Sequence, residues 1–112
     1  MKTQAVEKTP LAPNPHGVEV RKLYDTEHAQ TMHLTLKPGE SLKRHITPVD
    51  VFFYVLEGSG IVEIGDERRE ITAHTLVDST ARIPHRWING NKHDLKILVV
   101  KVPRPTESTK LL

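Results

Sequence analysis

Two histidines on separate segments of this chain are the residues best placed to do chemistry together. His45 ends the segment 38–45, which opens on a Pro-Gly turn, and His85 lies in the segment 83–89, which runs into Gly90. Each segment predicts a short β-strand bounded by turn residues. If the two strands fold onto each other, the imidazoles meet inside a barrel. There they could ligate a metal ion or hydrogen-bond a small molecule.

A metal at this pair would need further ligands. Imidazole suits zinc, nickel, copper, iron and cobalt, and a catalytic zinc site keeps three protein ligands and a water. Asp50 is one candidate for the third ligand, and His33 is another if its side chain points inward. The alternative interpretation is that His45 and His85 are hydrogen-bonded polar residues that line an otherwise apolar pocket.

The other histidines indicate no site. His16, His28 and His93 lie in or beside loops, so we expect them to be solvated. His74, between Ala73 and Thr75, is expected to be a turn residue.

The remaining pattern predicts an all-β fold. Short runs alternate with period two or are wholly apolar, as in residues 31–36, 51–56 and 95–102, and turn residues separate them. Asn89-Gly90 and Gly65-Asp66 are typical hairpin or turn dipeptides. No stretch keeps a 3.6-residue apolar period long enough for a helix. About eight to ten short strands at this spacing indicate a sandwich or barrel.

Composition narrows the class of protein. A chain of 112 residues is one domain, and 37% hydrophobic with 27% charged residues is typical of a soluble globular protein. The net charge of +2 is spread along the chain, which argues against a nucleic-acid partner. The longest apolar run, residues 51–56, is too short to span a bilayer, and residues 1–9 hold no apolar signal segment. We therefore expect a cytoplasmic protein with no membrane partner. The absence of cysteine excludes disulfides and thiolate chemistry.

The ends of the chain differ from its middle. Residues 1–15 hold three prolines and predict an extended or flexible N-terminal arm. Residues 104–112 predict a flexible C-terminal tail. The barrel is expected to span residues 16–103.

Over about residues 31–102 the chain resembles the cupins, a family with a double-stranded β-helix or jelly-roll fold. Gly39 is followed by five residues and His45, Gly58 falls at the end of the first cupin motif, and His85 and Asn89 fit the end of the second. The closest type is the small single-domain, conserved-barrel cupin, similar to RmlC. Cupins include isomerases, dioxygenases, decarboxylases, sugar-binding regulators and storage proteins, so the resemblance implies the fold more than the chemistry.

The departures from the family pattern concern the metal. Metal-binding cupins supply two histidines and a glutamate from the first motif and one histidine from the second. In this chain the second histidine position holds Thr47 and the glutamate position holds Val51. The resemblance thus implies either a weakly held divalent ion (Zn, Ni, Fe or Co) on His45 and His85, or no cofactor. His74 and Arg82 stand at glycine positions of the second motif.

The same resemblance implies a pocket beside the two histidines. Strand alternation predicts which side chains share its face, with plain barrel core as the alternative. The residues expected to line it are Thr47, Val51, Phe53, Val55 and Trp87. Arginines that could ring its mouth and attract an anion are Arg44, Arg82 and Arg86.

Two functions follow as hypotheses. The first is a module that binds a small organic ligand in the barrel, which Thr47 and Val51 favour. The second is a metal-dependent isomerase, dioxygenase or decarboxylase acting on a small sugar or organic acid through Lewis-acid polarisation. No residue is assigned a catalytic role. Phe52, Tyr54 and Leu56 point to the other side of their strand, and this apolar strip predicts a homodimer.

Overall fold

The computed structural model describes all 112 residues, and the chain is built of strands and turns. The ten strands are β1 (Glu19–Asp25), β2 (Gln30–Leu36), β3 (His45–Ile46), β4 (Val51–Glu57), β5 (Ser59–Ile64), β6 (Glu67–Thr72), β7 (Leu76–Ser79), β8 (His85–Ile88), β9 (Leu95–Lys101) and β10 (Lys110–Leu111). The helical content is a single 3-10 turn at Val6–Lys8, and no helix has the length and hydrophobicity to cross a bilayer. The all-β prediction is confirmed.

The strands form two five-stranded antiparallel sheets that face each other. One sheet has the order β1-β2-β9-β4-β7, and the other has the order β10-β3-β8-β5-β6. Alternate residues of β4 and β9 point between the sheets and are buried, as Phe53, Val55 and Ile97 show. This period of two is what a strand with one face on the core requires. The predicted jelly-roll barrel is confirmed.

Local chemistry fixes several of the turns. Gly65, with a φ of 57°, opens the two-residue loop that joins β5 to β6, as the hairpin prediction required. The side-chain amide of Asn89 donates to the carbonyls of Leu36 and His93, each at 2.8 Å, and so ties the end of β8 to the ends of β2 and the loop before β9. The Asn-Gly turn therefore also has a packing role.

Two non-glycine residues adopt the left-handed backbone. His74 has a φ of 69° and Arg82 a φ of 66°, in the turns before and after β7. Their amides donate to Val55 and Thr47 carbonyls, at 2.7 and 2.9 Å, which holds both turns against the barrel. The turn predicted at His74 is confirmed, and the positive φ values explain why a glycine would suit both positions.

Both chain ends pack against the barrel. In the N-terminal arm, Leu11 forms a β-bridge with Arg21, and the Ala12 amide donates to the Val20 carbonyl at 2.7 Å. The arm is extended, but it is held beside β1. The C-terminal residues differ from the flexible tail that was predicted, because β10 pairs with β3 and the Leu112 amide donates to Arg44. A two-residue strand leaves no pattern in a sequence.

Candidate functional site

The two imidazoles predicted to meet inside the barrel do so. His45 on β3 lies directly opposite His85 on β8 in the antiparallel register. Their ring centroids are 4.5 Å apart, and the residues are 6% and 2% exposed. Phe53 of the facing sheet packs edge-on against His85 at 5.4 Å. The histidine pair therefore lies between the sheets, where water has little access.

A cavity of about 300 Å³ opens beside this pair at one end of the barrel. Eight of its 19 lining residues are hydrophobic. The ionisable side chains that line it are His16, Lys22, His45, His85 and Lys101. No aspartate or glutamate lines it. The cavity therefore combines apolar side chains with basic and imidazole groups, and no acidic group lies among them.

The predicted ligand-binding residues divide into two groups. Thr47, Val51 and Phe53 line the cavity, whereas Val55 and Trp87 do not. Those two side chains share the inward face but lie further along their strands, where both are completely buried in the core. The indole N–H of Trp87 has no hydrogen-bond partner there. For Val55 and Trp87 the alternative of plain barrel core is the correct one.

Neither candidate for a third metal ligand reaches the histidine pair. Asp50 is exposed, and its carboxylate accepts a hydrogen bond from the Ala81 amide at 2.8 Å. His33 is buried, but its neighbours Met32 and Leu34 line the cavity, so alternation points its ring to the other face of the sheet. Both ligand predictions are wrong for this reason.

The third imidazole of the site comes from the N-terminal arm. The ring of His16 lies 4.6 Å from that of His45, centroid to centroid, and lines the cavity. Asn14 shapes the arm here, because its side chain donates to the Val18 carbonyl at 2.8 Å and accepts from the His16 amide at 3.1 Å. The prediction that His16 is solvated is wrong, since the arm folds over the cavity. His28 and His93 are exposed, as expected, and His74 is exposed as well.

The arginines expected at the cavity mouth lie elsewhere. Arg86 pairs with Glu63 at 2.6 Å and Arg44 lies 4.0 Å from the same carboxylate, on the outer side of the second sheet. Arg82 lies 3.8 Å from Glu107. None of the three lines the cavity. The basic groups of the cavity are instead Lys22 and Lys101, which sequence reasoning missed.

A signal for Lys101 was present in the sequence. Leu95, Ile97 and Val99 are the inward-facing residues of β9, and the same period of two places Lys101 on that face. A lysine that continues a buried apolar row is unusual and indicates a polar environment inside. The arm residue His16 left no comparable signal.

Burial keeps the three imidazoles uncharged. The pKa of His85 is lowered from its ordinary value of 6.5 to about 3, mainly by burial, and positive charge on His45, Lys101 and His16 acts in the same direction. Burial likewise lowers the pKa of His16 to about 4. The pKa of His45 is lowered by burial, against the opposing effect of its hydrogen bond to Lys43. All three rings are therefore neutral near neutral pH.

The hydrogen bonds also fix which ring nitrogens carry the proton. Nδ1 of His45 lies 2.7 Å from the Lys43 carbonyl, and it must donate because a carbonyl only accepts. In the neutral ring Nε2 of His45 is then a free acceptor. Nδ1 of His16 accepts from the Lys43 amide at 3.0 Å, so the neutral His16 ring carries its proton on Nε2. His45 and His16 thus offer an acceptor and a donor side by side.

A barrel of two antiparallel sheets, in which the paired strands β3 and β8 bring two histidines to a cavity, is a double-stranded β-helix protein with a candidate ligand site. Residues 32–101 match the Cupin domain family. The chain belongs to the cupin family.

Comparison with known proteins gives the same fold. An uncharacterized protein of Methanocaldococcus jannaschii is 29% identical over 87 residues, which cover 77% of this chain and 75% of that protein. The polyketide cyclase RemF from Streptomyces resistomycificus superposes with a TM-score of 0.86 at 20% identity, covering 100% of this chain and 85% of that one. A predicted oxalate decarboxylase from Thermotoga maritima gives a TM-score of 0.81 at 21% identity, covering 92% and 100%. At these identities the two structural likenesses show the fold alone.

Cupins often bind a metal, but the donor atoms of this site do not fit a divalent ion. Nδ1 of His85 lies 2.7 Å from the Ser79 hydroxyl, and its Nε2 lies 3.1 Å from the Thr47 hydroxyl, so both nitrogens are engaged. Nε2 of His45 is the one imidazole acceptor left free. No three histidine, aspartate or glutamate side chains converge on a common point that could hold an ion. The ammonium group of Lys101, which lines the same cavity, adds positive charge.

Proposed function

We propose that this protein binds a small organic molecule in the barrel cavity, and that the ligand contacts protein groups directly. The observation that carries the proposal is the make-up of the cavity. Its volume of about 300 Å³ suits a small ligand, eight of its 19 lining residues are hydrophobic, and the rings of His16 and His85 pack against His45 in its wall. A few convergent polar groups in an apolar chamber are typical of small-molecule sites.

The protonation pattern supports direct hydrogen bonding to the ligand. Nε2 of His45 can accept a hydrogen bond and Nε2–H of His16 can donate one. Because burial holds both rings neutral, these roles persist at neutral pH. A ligand with one hydrogen-bond donor and one acceptor could satisfy both groups at once.

The rest of the cavity wall is pre-organised. Thr47 and Ser79 hold His85 from both ring nitrogens, and His85 in turn packs against His45 and Phe53. Side chains locked in this way lose little freedom when a ligand binds, which favours affinity. We therefore expect the side chains around His85 to keep their positions when a ligand binds.

A metal-dependent enzyme is the weaker alternative. Similar structures include proteins described as a polyketide cyclase and a predicted oxalate decarboxylase, so the fold is compatible with enzymes. In this chain, however, Thr47 and Val51 supply a hydroxyl and a methyl-bearing side chain at the positions where an imidazole and a carboxylate would be needed. The donor set supports binding in preference to Lewis-acid catalysis.

The experiment blocks the cavity from within. Val51 faces the cavity and Phe52, its neighbour on β4, faces outward, so Val51→Trp and Phe52→Trp add an indole ring to opposite sides of one strand. We expect small organic compounds that raise the melting temperature of the native protein to lose this effect in Val51→Trp and keep it in Phe52→Trp. Val51→Phe serves the same purpose with less added volume if the tryptophan variant does not fold. Equal responses of the cavity-blocked and native proteins would place the ligand elsewhere.

We also propose that the protein assembles as a homodimer. Phe52, Tyr54 and Leu98, all partly exposed, occupy neighbouring positions on the outer face of the first sheet, by the register of β4 with β9. Leu76 on β7 continues this face opposite Tyr54 and is 55% exposed. An apolar sheet face of this kind is normally covered by a partner.

A further inference from the structure

We propose that the ligand of the cavity is an organic anion, with a carboxylate neutralised by Lys101 and a hydroxyl that donates to His45. This inference rests on the proposed function and names the ligand class. A hydroxycarboxylate with an apolar body is the chemistry that the cavity fits.

Lys101 is placed to hold the charge of such a ligand. It is the last inward-facing residue of β9, after Leu95, Ile97 and Val99, and it lines the cavity. Its register partners are Gln30 on β2 and Val51 on β4, so it lies in the middle of the first sheet and faces the histidines of the second. His16, His45 and His85 line the same cavity, so the side chain of Lys101 and the three rings share one chamber.

Lys101 lacks a counter-ion in the cavity lining. No acidic side chain lines the cavity, and no acidic group acts on the charge of Lys101. Lys22, the other lysine of the lining, has a partner, because Asp25 lies 3.5 Å from its ammonium nitrogen. Glu107 lines an adjoining pocket together with Lys101, but its carboxylate pairs with Arg82 at 3.8 Å. A partly buried ammonium without an ion-pair partner is costly. A carboxylate from a ligand would supply it.

The other groups of the cavity define the rest of the ligand. Nε2 of His45 accepts but cannot donate in the neutral ring, so the ligand must bring an O–H or N–H there. Apolar side chains line the same cavity, among them Met32, Val51 and Phe53. An anion, a hydroxyl and an apolar body must therefore occur in one molecule. Because the histidines do not form a metal site, the positive charge that faces the anion comes from the ammonium group of Lys101.

The test uses three probes that differ in one group each. Mandelate carries the carboxylate, the hydroxyl and an apolar ring, mandelamide lacks the charge, and phenylacetate lacks the hydroxyl. Isothermal titration calorimetry measures their binding to the full-length protein dialysed against a chelator. The variant is Lys101→Met, and the matched control is Lys96→Met, which removes the same charge from a residue of β9 that pairs with Glu57 at 3.7 Å.

We expect mandelate to bind the native protein at least about tenfold more tightly than either mandelamide or phenylacetate, as a charge-assisted hydrogen bond requires. Lys101→Met should abolish the preference for mandelate over mandelamide, and Lys96→Met should retain it. Equal affinity for mandelate and mandelamide, or equal behaviour of the two lysine variants, overturns the anion proposal while leaving ligand binding in place. The proposed function fails as well if none of the three probes binds and if no other small compound stabilises the native protein more than the cavity-blocked Val51→Trp variant.

Discussion

Acid should destabilise this protein through a histidine that is buried in its neutral form. His85 has a pKa of about 3 in the folded chain, mainly because of burial, against 6.5 when exposed. Between these values the unfolded chain binds a proton that the folded chain does not. The contribution of neutral His85 to the free energy of unfolding is therefore fully present above about pH 6.5. Below that pH it falls by about 1.4 kcal/mol for each pH unit.

The expected magnitude is large relative to the stability of a small domain. From about pH 7.5 to about pH 5, His85 alone should lower the free energy of unfolding by about 2 kcal/mol. His16, with a pKa of about 4, acts in the same direction, because burial also holds its ring neutral over this range. Domains of this size are stable by only about 5–15 kcal/mol.

The assay is urea denaturation followed by the fluorescence of Trp87, the single tryptophan, which is fully buried in the folded state. His85→Asn removes the titrating group, and His28→Asn, in an exposed loop, is the matched control. On going from about pH 7.5 to about pH 5, the native protein and the control should lose about 2 kcal/mol more than His85→Asn does. Parallel pH dependence in the native protein and His85→Asn would refute the assignment of a buried neutral His85.

Three further outcomes follow from the structure. The double variant Thr47→His/Val51→Glu should bind stoichiometric zinc or nickel, because it adds an imidazole and a carboxylate beside the histidine pair. Elemental analysis measures this, and a metal content equal to that of the native protein would show that the identity of these two side chains does not limit metal binding. Gly58→Ala should lower the free energy of unfolding, measured by chemical denaturation, by at least about 2 kcal/mol, since φ is +81° and a Cβ would overlap the Asp94 carbonyl. The control Gly90→Ala, with open space around the new Cβ, should change it by less than about 0.5 kcal/mol. Light scattering at micromolar concentration should give twice the chain mass of 12.7 kDa, and a monomer mass would exclude the proposed dimer.

The all-β fold could be predicted from the sequence, because the alternation of residues in a strand and the residue types in a turn are determined by neighbouring residues. The runs at β4 and β9, the Gly65-Asp66 hairpin and the Asn89-Gly90 turn all lie where those rules place them. The meeting of His45 and His85 followed from the pairing of their strands. The C-terminal strand β10 was missed, because two residues carry no period.

The cavity was only partly accessible. Alternation separates inward from outward side chains, so it placed Thr47, Val51 and Phe53 on the inner face, but it does not say how far along the barrel the empty space extends. Trp87 shares that face and fills the core instead. His16 joins the site because the arm folds over it, and this depends on long-range packing that no local rule encodes.

The most direct test of the account is the position of a bound anion. Crystals grown in the presence of a chelator and soaked with 4-bromomandelate allow the bromine to be located by anomalous scattering. The account predicts a bromine peak inside the barrel cavity, with the carboxylate within hydrogen-bond distance of Nζ of Lys101 and the hydroxyl on Nε2 of His45. A peak only on the outer surface, or a cavity ligand bound to a metal ion and not to Lys101, would contradict it.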